Sequence, residues 1–146
     1  MCIRDRLGIA VITPHPRELS RLCGQSVTEI QESRIATVRR LSQEWNVVLL
    51  LKGAYTVIGS PDAKIFINPT GNSALATAGS GDVLSGFIGG FLAQGLSPLN
   101  ATLAGAYLHG LAADCFIQKT ESNYMVASDL FEGLRLAINA VKPQKS

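Results

Sequence analysis

The hydrophobic positions divide the chain into short apolar runs and longer amphipathic stretches. Two runs, Gly8–Ile12 and Val47–Leu51, are continuously apolar, and they end at Thr13-Pro14 and Lys52-Gly53. A short apolar run without alternation, bounded by turn residues, is typical of a strand that is covered on both faces. The pattern therefore predicts two buried parallel strands.

Helical periodicity follows the first strand. A short helix is predicted over Arg17–Cys23, with Gly24 as its stop. A longer helix is predicted over Glu29–Trp45 and ends at Asn46. Apolar residues recur in it at three- and four-residue steps and should form one buried face, namely Ile35, Val38, Leu41 and Trp45.

The second half of the chain predicts a hairpin and then three helices. The hairpin pairs Tyr55–Gly59 with Lys64–Asn68 through a turn that contains Pro61. The helices are predicted at Val83–Ala93, at Pro98–Phe116 with Ser97 as N-cap, and up to Val141 with Ser128-Asp129 as cap. This order of elements predicts an α/β fold with a mostly parallel sheet.

Composition narrows the classes of function. The 146 residues are 47% hydrophobic and 16% charged, which is typical of one packed soluble domain. The formal charge of +2 and the scattered basic residues disfavour a nucleic-acid partner. No apolar run approaches the roughly 20 residues of a membrane span, so no membrane partner is expected. Three dispersed cysteines favour a reduced protein without a structural metal, expected in the cytoplasm.

A run of small residues comes directly before the predicted helix Val83–Ala93. Gly79, Ser80 and Gly81 permit a sharp turn and leave backbone N–H groups uncovered at a helix N-terminus, where negative charge is favoured. Asp82 follows at once and could accept a proton from a hydroxyl or help to place a metal ion. An anion cradle beside a carboxylate suits phosphoryl transfer. Glycine-rich loops with an acidic helix start also occur in ordinary domains, so this turn alone decides nothing.

Two further segments follow the carboxyl ends of the predicted strands, where ligands bind in α/β sheets. They are Thr13-Pro14-His15 and Lys52-Gly53, and the glycine-rich turn could lie beside them, which would favour a nucleotide site. Alone, His15 is typical of a turn and Lys52 of a solvated strand end. His109 and Asp114, in the long helix, are expected to serve packing or internal hydrogen bonding.

Seven motifs occur in one order along the chain: TPHPRE (13–18), KGAYTVI (52–58), TGN (70–72), ATAGSGDVLSG (76–86), AQG (93–95), LHG (108–110) and ASD (127–129). Together they resemble the ADP/ATP-dependent NAD(P)H-hydrate dehydratases, a ribokinase-like family, over about Val11 to Leu130. The resemblance implies a three-layer α/β/α fold with a mostly parallel sheet.

The resemblance also implies that this chain is the C-terminal part of such a domain. Residues 7–146 would form that part, residues 1–6 would be a non-native extension, and the glycine-rich front half of the family's sheet would be absent. Arg17 departs from the family pattern, which has Gly in H-P-G-E. Its side chain could crowd the dinucleotide or point to solvent.

The family restores hydrated NADH or NADPH, in which water has added to the nicotinamide ring. ADP or ATP phosphorylates the C6 hydroxyl, and phosphate then leaves. By resemblance, Asp82 accepts the hydroxyl proton and contacts the hydrate, His15 contacts the hydrated dinucleotide, and the amides of Gly79 to Gly81 hold the developing phosphate charge. The nucleotide contacts carried over are Lys52, Gly53, Ala54, Tyr55, Thr56 and Gly81.

The resemblance further implies Mg²⁺ bound mainly through water and phosphate oxygens, with no direct protein ligand assigned, and a homo-oligomer when the protein is full-length. Two alternatives stay open. One is a small-molecule kinase of the same fold, for instance of a vitamin precursor. The other is an inactive nucleotide-binding fragment.

Overall fold

The computed structural model of the protein describes residues 10–122 and 124–142. Its sheet has the strand order β1-β2-β3-β4, with the strands at Ala10–Ile12, Val47–Leu51, Val57–Gly59 and Ile65–Ile67. The helices of this part are α1 Pro16–Cys23, α2 Val27–Glu32, α3 Arg34–Trp45, α4 Ser80–Ala93, α5 Pro98–Thr120 and α6 Asp129–Val141, and a 3-10 turn spans Ser73–Leu75. The extension expected at residues 1–6 lies outside the described residues.

Strand β2 is the centre of the fold, because its alternate side chains belong to two different cores. Leu49 and Leu51 pack with residues of α1, α2 and α3, whereas Val48 and Leu50 pack with residues of α4 and α5 on the other face. All four side chains are at most 1% exposed, and full burial of a leucine contributes about 1.5–3 kcal/mol. The result is a three-layer α/β/α arrangement with β2 inside it, as the apolar run predicts.

The sheet differs from the expectation in its strand directions. In the described part of the chain, β1 and β2 are parallel, but β2–β3 and β3–β4 are antiparallel, so the mostly parallel sheet is not seen there. The connection between β2 and β3 covers only residues 52–56, which is too short for the crossover that parallel neighbours need. Strand β3 of the hairpin therefore runs antiparallel to both of its neighbours, β2 and β4.

The predicted helix Glu29–Trp45 is in fact two helices that meet at Ser33. Ser33 has φ −131° and ψ 38°, outside the helical region, and its hydroxyl donates to Glu29 O at 2.8 Å. Ile35, expected on the buried face, is 42% exposed. Val38 and Leu41 are buried as predicted.

The other helices keep their predicted positions with small changes. Helix α5 has the Ser97 cap and runs past Phe116 to Thr120. Ser128 precedes α6 but makes no side-chain capping bond, whereas Asp129 Oδ2 accepts from Val126 N at 2.8 Å. Within residues 10–122 and 124–142, none of the helices combines the length and hydrophobicity needed to cross a membrane.

Helices α5 and α6 cross closely at Gly133. A Cβ placed there would lie 2.2 Å from Ala112 O, whereas a Cβ at Gly89 of α4 would meet nothing within 4 Å. We predict that Gly133→Ala lowers the free energy of unfolding by about 1–3 kcal/mol through overpacking. Gly89→Ala should instead raise it by about 0.5–1 kcal/mol, because alanine restricts the unfolded chain.

Urea unfolding of the two variants and the wild type measures this difference. Both substitutions add one methyl group to a helical glycine, so they differ mainly in what that methyl meets. Equal effects of the two variants on the free energy of unfolding would contradict the close crossing of α5 and α6.

Candidate active site

Two loops at the carboxyl ends of β1 and β2 lie side by side. Lys52 N donates to Pro14 O at 2.9 Å, which ties the loop after β2 to the loop after β1. His15 and Lys52 are consequently neighbours at one edge of the sheet. The sequence predicts this convergence from the two strand ends alone.

His15 is the N-cap of α1. Its Nδ1 accepts from Glu18 N at 3.2 Å, while His15 N donates to Glu18 Oε2 at 2.7 Å, so the two residues form a capping box. Because Nδ1 accepts an N–H, the hydrogen of the neutral ring lies on Nε2. The side chain is exposed and contributes to a cavity wall, and Arg17 beside it is exposed as well.

Glu18 connects this cap to Lys52. Glu18 Oε2 lies 3.6 Å from Lys52 Nζ. The hydrogen bond from the backbone N–H of His15, helped by the nearby charge of Lys52, lowers the pKa of the Glu18 carboxyl from its ordinary value. The Lys52 side chain also approaches the first turn of α4, since a Cβ placed on Gly81 would lie 3.2 Å from Lys52 Nζ. The ammonium thus stands between a carboxylate and the N-terminus of α4.

The loop that follows β2 needs glycine at position 53. Gly53 has φ 142°, and a Cβ there would lie 2.9 Å from Arg34 Nη1. Arg34 is half-buried and donates from Nη2 to Leu51 O at 3.2 Å, and burial lowers the pKa of its guanidinium from the ordinary value. The guanidinium therefore supports the backbone from which Lys52 projects.

The anion cradle is predicted at the first turn of α4. Gly79 is the N-cap, with φ 85°, and faces Ala127, whose Cβ would be 3.2 Å from an added Cβ. Ser80 N donates to Thr77 O at 3.3 Å, so this amide already has a protein partner. Within the described residues, Gly81 N has no hydrogen-bond acceptor. Of the three amides expected to form the anion cradle, the Ser80 amide is therefore not free to bind an anion.

Asp82 is exposed and lies outside the cavity wall. Leu84, two residues further on, is buried against the sheet. Residues two apart in a helix point about 200° away from each other, so burial of Leu84 turns Asp82 outward. The carboxylate stands at the same helix start as Gly81 but on the solvent side.

A cavity of about 790 Å³ brings most of the predicted site together. Its size is in the range of small-molecule and cofactor sites. Among the residues expected at the site, those lining it are His15, Lys52, Gly53, Ala54, Tyr55, Thr56, Ser80 and Gly81. Gly79 and Asp82 are the predicted site residues that do not line it.

The opposite wall of the cavity was not assigned to the site from the sequence. It is formed by residues 68–73 and by part of α5, which hydrogen bonds hold together. Asp114 accepts from Gly71 N and from Asn72 Nδ2, both at 2.8 Å. His109 lines this wall, and its Nε2 lies 2.9 Å from Ser80 O. The internal hydrogen bonding expected of His109 and Asp114 is confirmed.

The family model of the NAD(P)H-hydrate dehydratases matches residues 3–135 of the chain. The chain belongs to this family. Among curated dehydratase relatives, it is 50% identical over 127 residues to the bifunctional NAD(P)H-hydrate repair enzyme of Moorella thermoacetica. That match covers 87% of this chain and 24% of the relative.

Solved structures agree on the fold. The ADP/ATP-dependent NAD(P)H-hydrate dehydratase of Bacillus subtilis, co-crystallised with ATP and Mg²⁺, superposes with a TM-score of 0.87 at 34% identity, over 97% of this chain and 51% of that chain. A ribokinase-like superfamily protein of Enterococcus faecalis gives a TM-score of 0.73 at 31% identity, over 91% and 45%. The ribokinase-like class expected from the sequence is confirmed, and the chain spans about half the length of these solved relatives.

The Glu18 carboxylate gives a pH-dependent prediction. Because its pKa is lower in the folded chain than the ordinary 4.5, its ionised form adds stability above that pH, and the contribution is lost as the pH falls through the folded pKa. Glu18→Gln keeps a capping side chain but removes the charge. We predict that the wild type is more stable than Glu18→Gln at pH 7 and that this difference vanishes in acid.

Urea unfolding of both proteins between pH 7 and pH 3 checks this. A matched control is Glu29→Gln, because Glu29 occupies the same position of a second capping box, with Ser26, and its pKa is also lowered, first by the hydrogen bond from the Ser26 hydroxyl. It should show the same sign of pH dependence. A difference between wild type and Glu18→Gln that grows in acid would contradict the assignment.

Proposed function

We propose that the protein restores hydrated NADH or NADPH to the reduced dinucleotide, with ADP or ATP as phosphoryl donor. The observation that carries this proposal is the meeting of Lys52 with the first turn of α4 at the wall of the 790 Å³ cavity. A free amide and an ammonium there can hold phosphate, and an exposed carboxylate follows at once in the chain. Membership of the dehydratase family supports the same reaction.

The nucleotide would occupy the cavity. The loop Lys52–Thr56 would surround the adenosine part, and Lys52 Nζ with Gly81 N–H would hold the phosphates. Other contacts fix the position of both donors. Lys52 is held by the contact with Glu18 and by its place at the end of β2, and Gly81 is held by the helix that begins at Ser80. Donors that are fixed before the reaction stabilise developing charge without reorganisation.

The hydrated nicotinamide would lie on the other side of the same turn, next to Asp82. Asp82 would accept the proton of the C6 hydroxyl as the hydroxyl oxygen attacks the terminal phosphorus. The bond from that phosphorus to the nucleotide breaks, and the nucleotide leaves with one phosphoryl group fewer. Loss of the new phosphate from C6, with a ring proton, restores the double bond. His15, exposed at the cavity wall, would contact the hydrated dinucleotide.

Magnesium fits this site as an ion that the nucleotide brings. In the described residues, no group of three or more His, Cys, Asp or Glu side chains could hold a metal ion. Mg²⁺ usually keeps several waters and takes one or two carboxylates together with substrate phosphates. Asp82 is the carboxylate at this turn, and a bound Mg²⁺ would neutralise charge on the phosphates.

The wider setting is also a proposal. We assign residues 7–146 to the C-terminal part of one ribokinase-like domain, since almost all of this chain matches about half of each solved relative. We place the protein in the cytoplasm and expect a homo-oligomer of the full-length protein. Cys23 and Cys115, both free, are compatible with a reducing compartment.

Substitution of Asp82 tests the reaction. We predict that Asp82→Asn lowers turnover of hydrated NADH by about 10²- to 10⁴-fold, the usual contribution of a general base, and leaves ADP affinity within about twofold. Turnover is measured with the chain joined to the N-terminal half of the Bacillus subtilis relative. Orthophosphate release and recovery of NADH absorbance are followed together.

Asp62→Asn serves as the control, because Asp62 is also an exposed aspartate but lies in the hairpin turn, outside the cavity wall. It should leave turnover unchanged. Unchanged turnover in Asp82→Asn would remove this residue from the mechanism. A stable phosphorylated product without NADH recovery would indicate that the protein is a kinase and not a dehydratase.

A further inference from the structure

His109 is a buried titratable residue that the proposed reaction does not use. It lies on α5, is 8% exposed and lines the cavity. Its Nε2 is 2.9 Å from Ser80 O, and because a carbonyl oxygen only accepts, Nε2 carries the hydrogen. The ring also meets Phe87 edge-on, with centroids 6.0 Å apart. Burial lowers the pKa of the imidazole from its ordinary value, which favours the neutral ring.

Ser80 O and Gly81 N belong to one peptide group. A peptide group is planar and, in the described residues, always trans, so its C=O and N–H point in opposite directions. A hydrogen bond that fixes the direction of Ser80 O therefore fixes the direction of Gly81 N–H. The helix that begins at Ser80 and the Ser80 hydroxyl, which donates to Leu75 O at 2.7 Å, restrain the same peptide group, and the His109 bond adds to them.

Gly81 N–H has no acceptor among the described residues, and Gly81 lies beside Lys52. We propose that His109 is a positioning residue that holds the Ser80–Gly81 peptide so that Gly81 N–H points at the nucleotide phosphate. This inference rests on the proposed function. His109 acts through the peptide group and does not itself need to touch the phosphate.

Two substitutions separate the hydrogen bond from the bulk of the ring. His109→Leu keeps an apolar side chain of similar size but cannot donate to Ser80 O. His109→Gln carries an amide N–H that can donate to it. Ser42→Ala is the matched control, because it removes another side-chain hydrogen bond to a buried backbone oxygen, Ser60 O at 3.1 Å, from a helix that packs on the other face of the sheet.

The decisive readout is the affinity of the chain for ADP compared with adenosine, measured by isothermal titration calorimetry. Adenosine has no phosphate, so a misdirected Gly81 N–H should not affect it. We expect His109→Leu to weaken ADP binding about five- to tenfold, the range of one lost hydrogen bond, and to leave adenosine binding unchanged. His109→Gln should restore ADP binding to within about twofold, and Ser42→Ala should change neither ligand.

An equal loss of affinity for ADP and adenosine in His109→Leu would overturn the inference, because it would indicate a general structural role. If thermal unfolding shows that His109→Leu is not folded, His109→Met takes its place. A wild-type chain that binds neither ligand would contradict the proposed function instead. The positioning role is then decided by the amide resonance of Gly81 in the ligand-free chain, which should shift in His109→Leu and return in His109→Gln, and an unchanged resonance would overturn it.

Discussion

Strand β2 is buried on both faces, and its position constrains everything that follows in the structure. Its alternate side chains belong to two cores, so the strand cannot shift by one residue without exchanging the helices that cover it. Lys52 follows β2 directly and therefore lies at the edge of the sheet where this strand ends. The backbone bond to Pro14 and the contact with Glu18 then fix where its ammonium lies.

The same constraint divides the site into two sides. Helix α4 packs Leu84 and Ile88 onto the face of the sheet that Val48 and Leu50 share. That packing presents Gly81 to the cavity and turns Asp82 to solvent. In the proposed binding mode, the nucleotide would lie on the cavity side of this turn and the acceptor hydroxyl on its exposed side, and phosphoryl transfer favours an approach of the two oxygens from opposite sides of the phosphorus.

The sequence predicts most elements because their signals are local. The run Val47–Leu51 and the caps at Gly24, Asn46 and Ser97 all stand as expected. The start of α2 was also predictable, since Ser26 and Glu29 have the spacing of a capping box. The predicted helix start at Glu29 did not take this signal into account. The break at Ser33 has no comparable signal, because serine is common inside helices as well as at their ends.

The candidate site is predictable only in part. The strand ends and the glycine-rich turn point to it, but the orientation of Asp82 depends on which face of α4 is buried, a tertiary property. From the sequence, His109 is expected only to pack or to form an internal hydrogen bond, because a histidine in an apolar helix needs a partner nearby. Which partner it finds depends on the approach of α4 to α5, where a Cβ at Gly105 would lie 2.6 Å from Ile88 Cγ1.

The proposed reaction requires Gly81 N–H and Lys52 Nζ to hold the phosphates of the nucleotide together. A crystal structure of the chain soaked with ADP tests it most directly. We expect phosphate oxygens within about 3.2 Å of both nitrogen atoms, with adenosine along residues 52–56. ADP bound with its phosphates well away from residues 79–82 would contradict it.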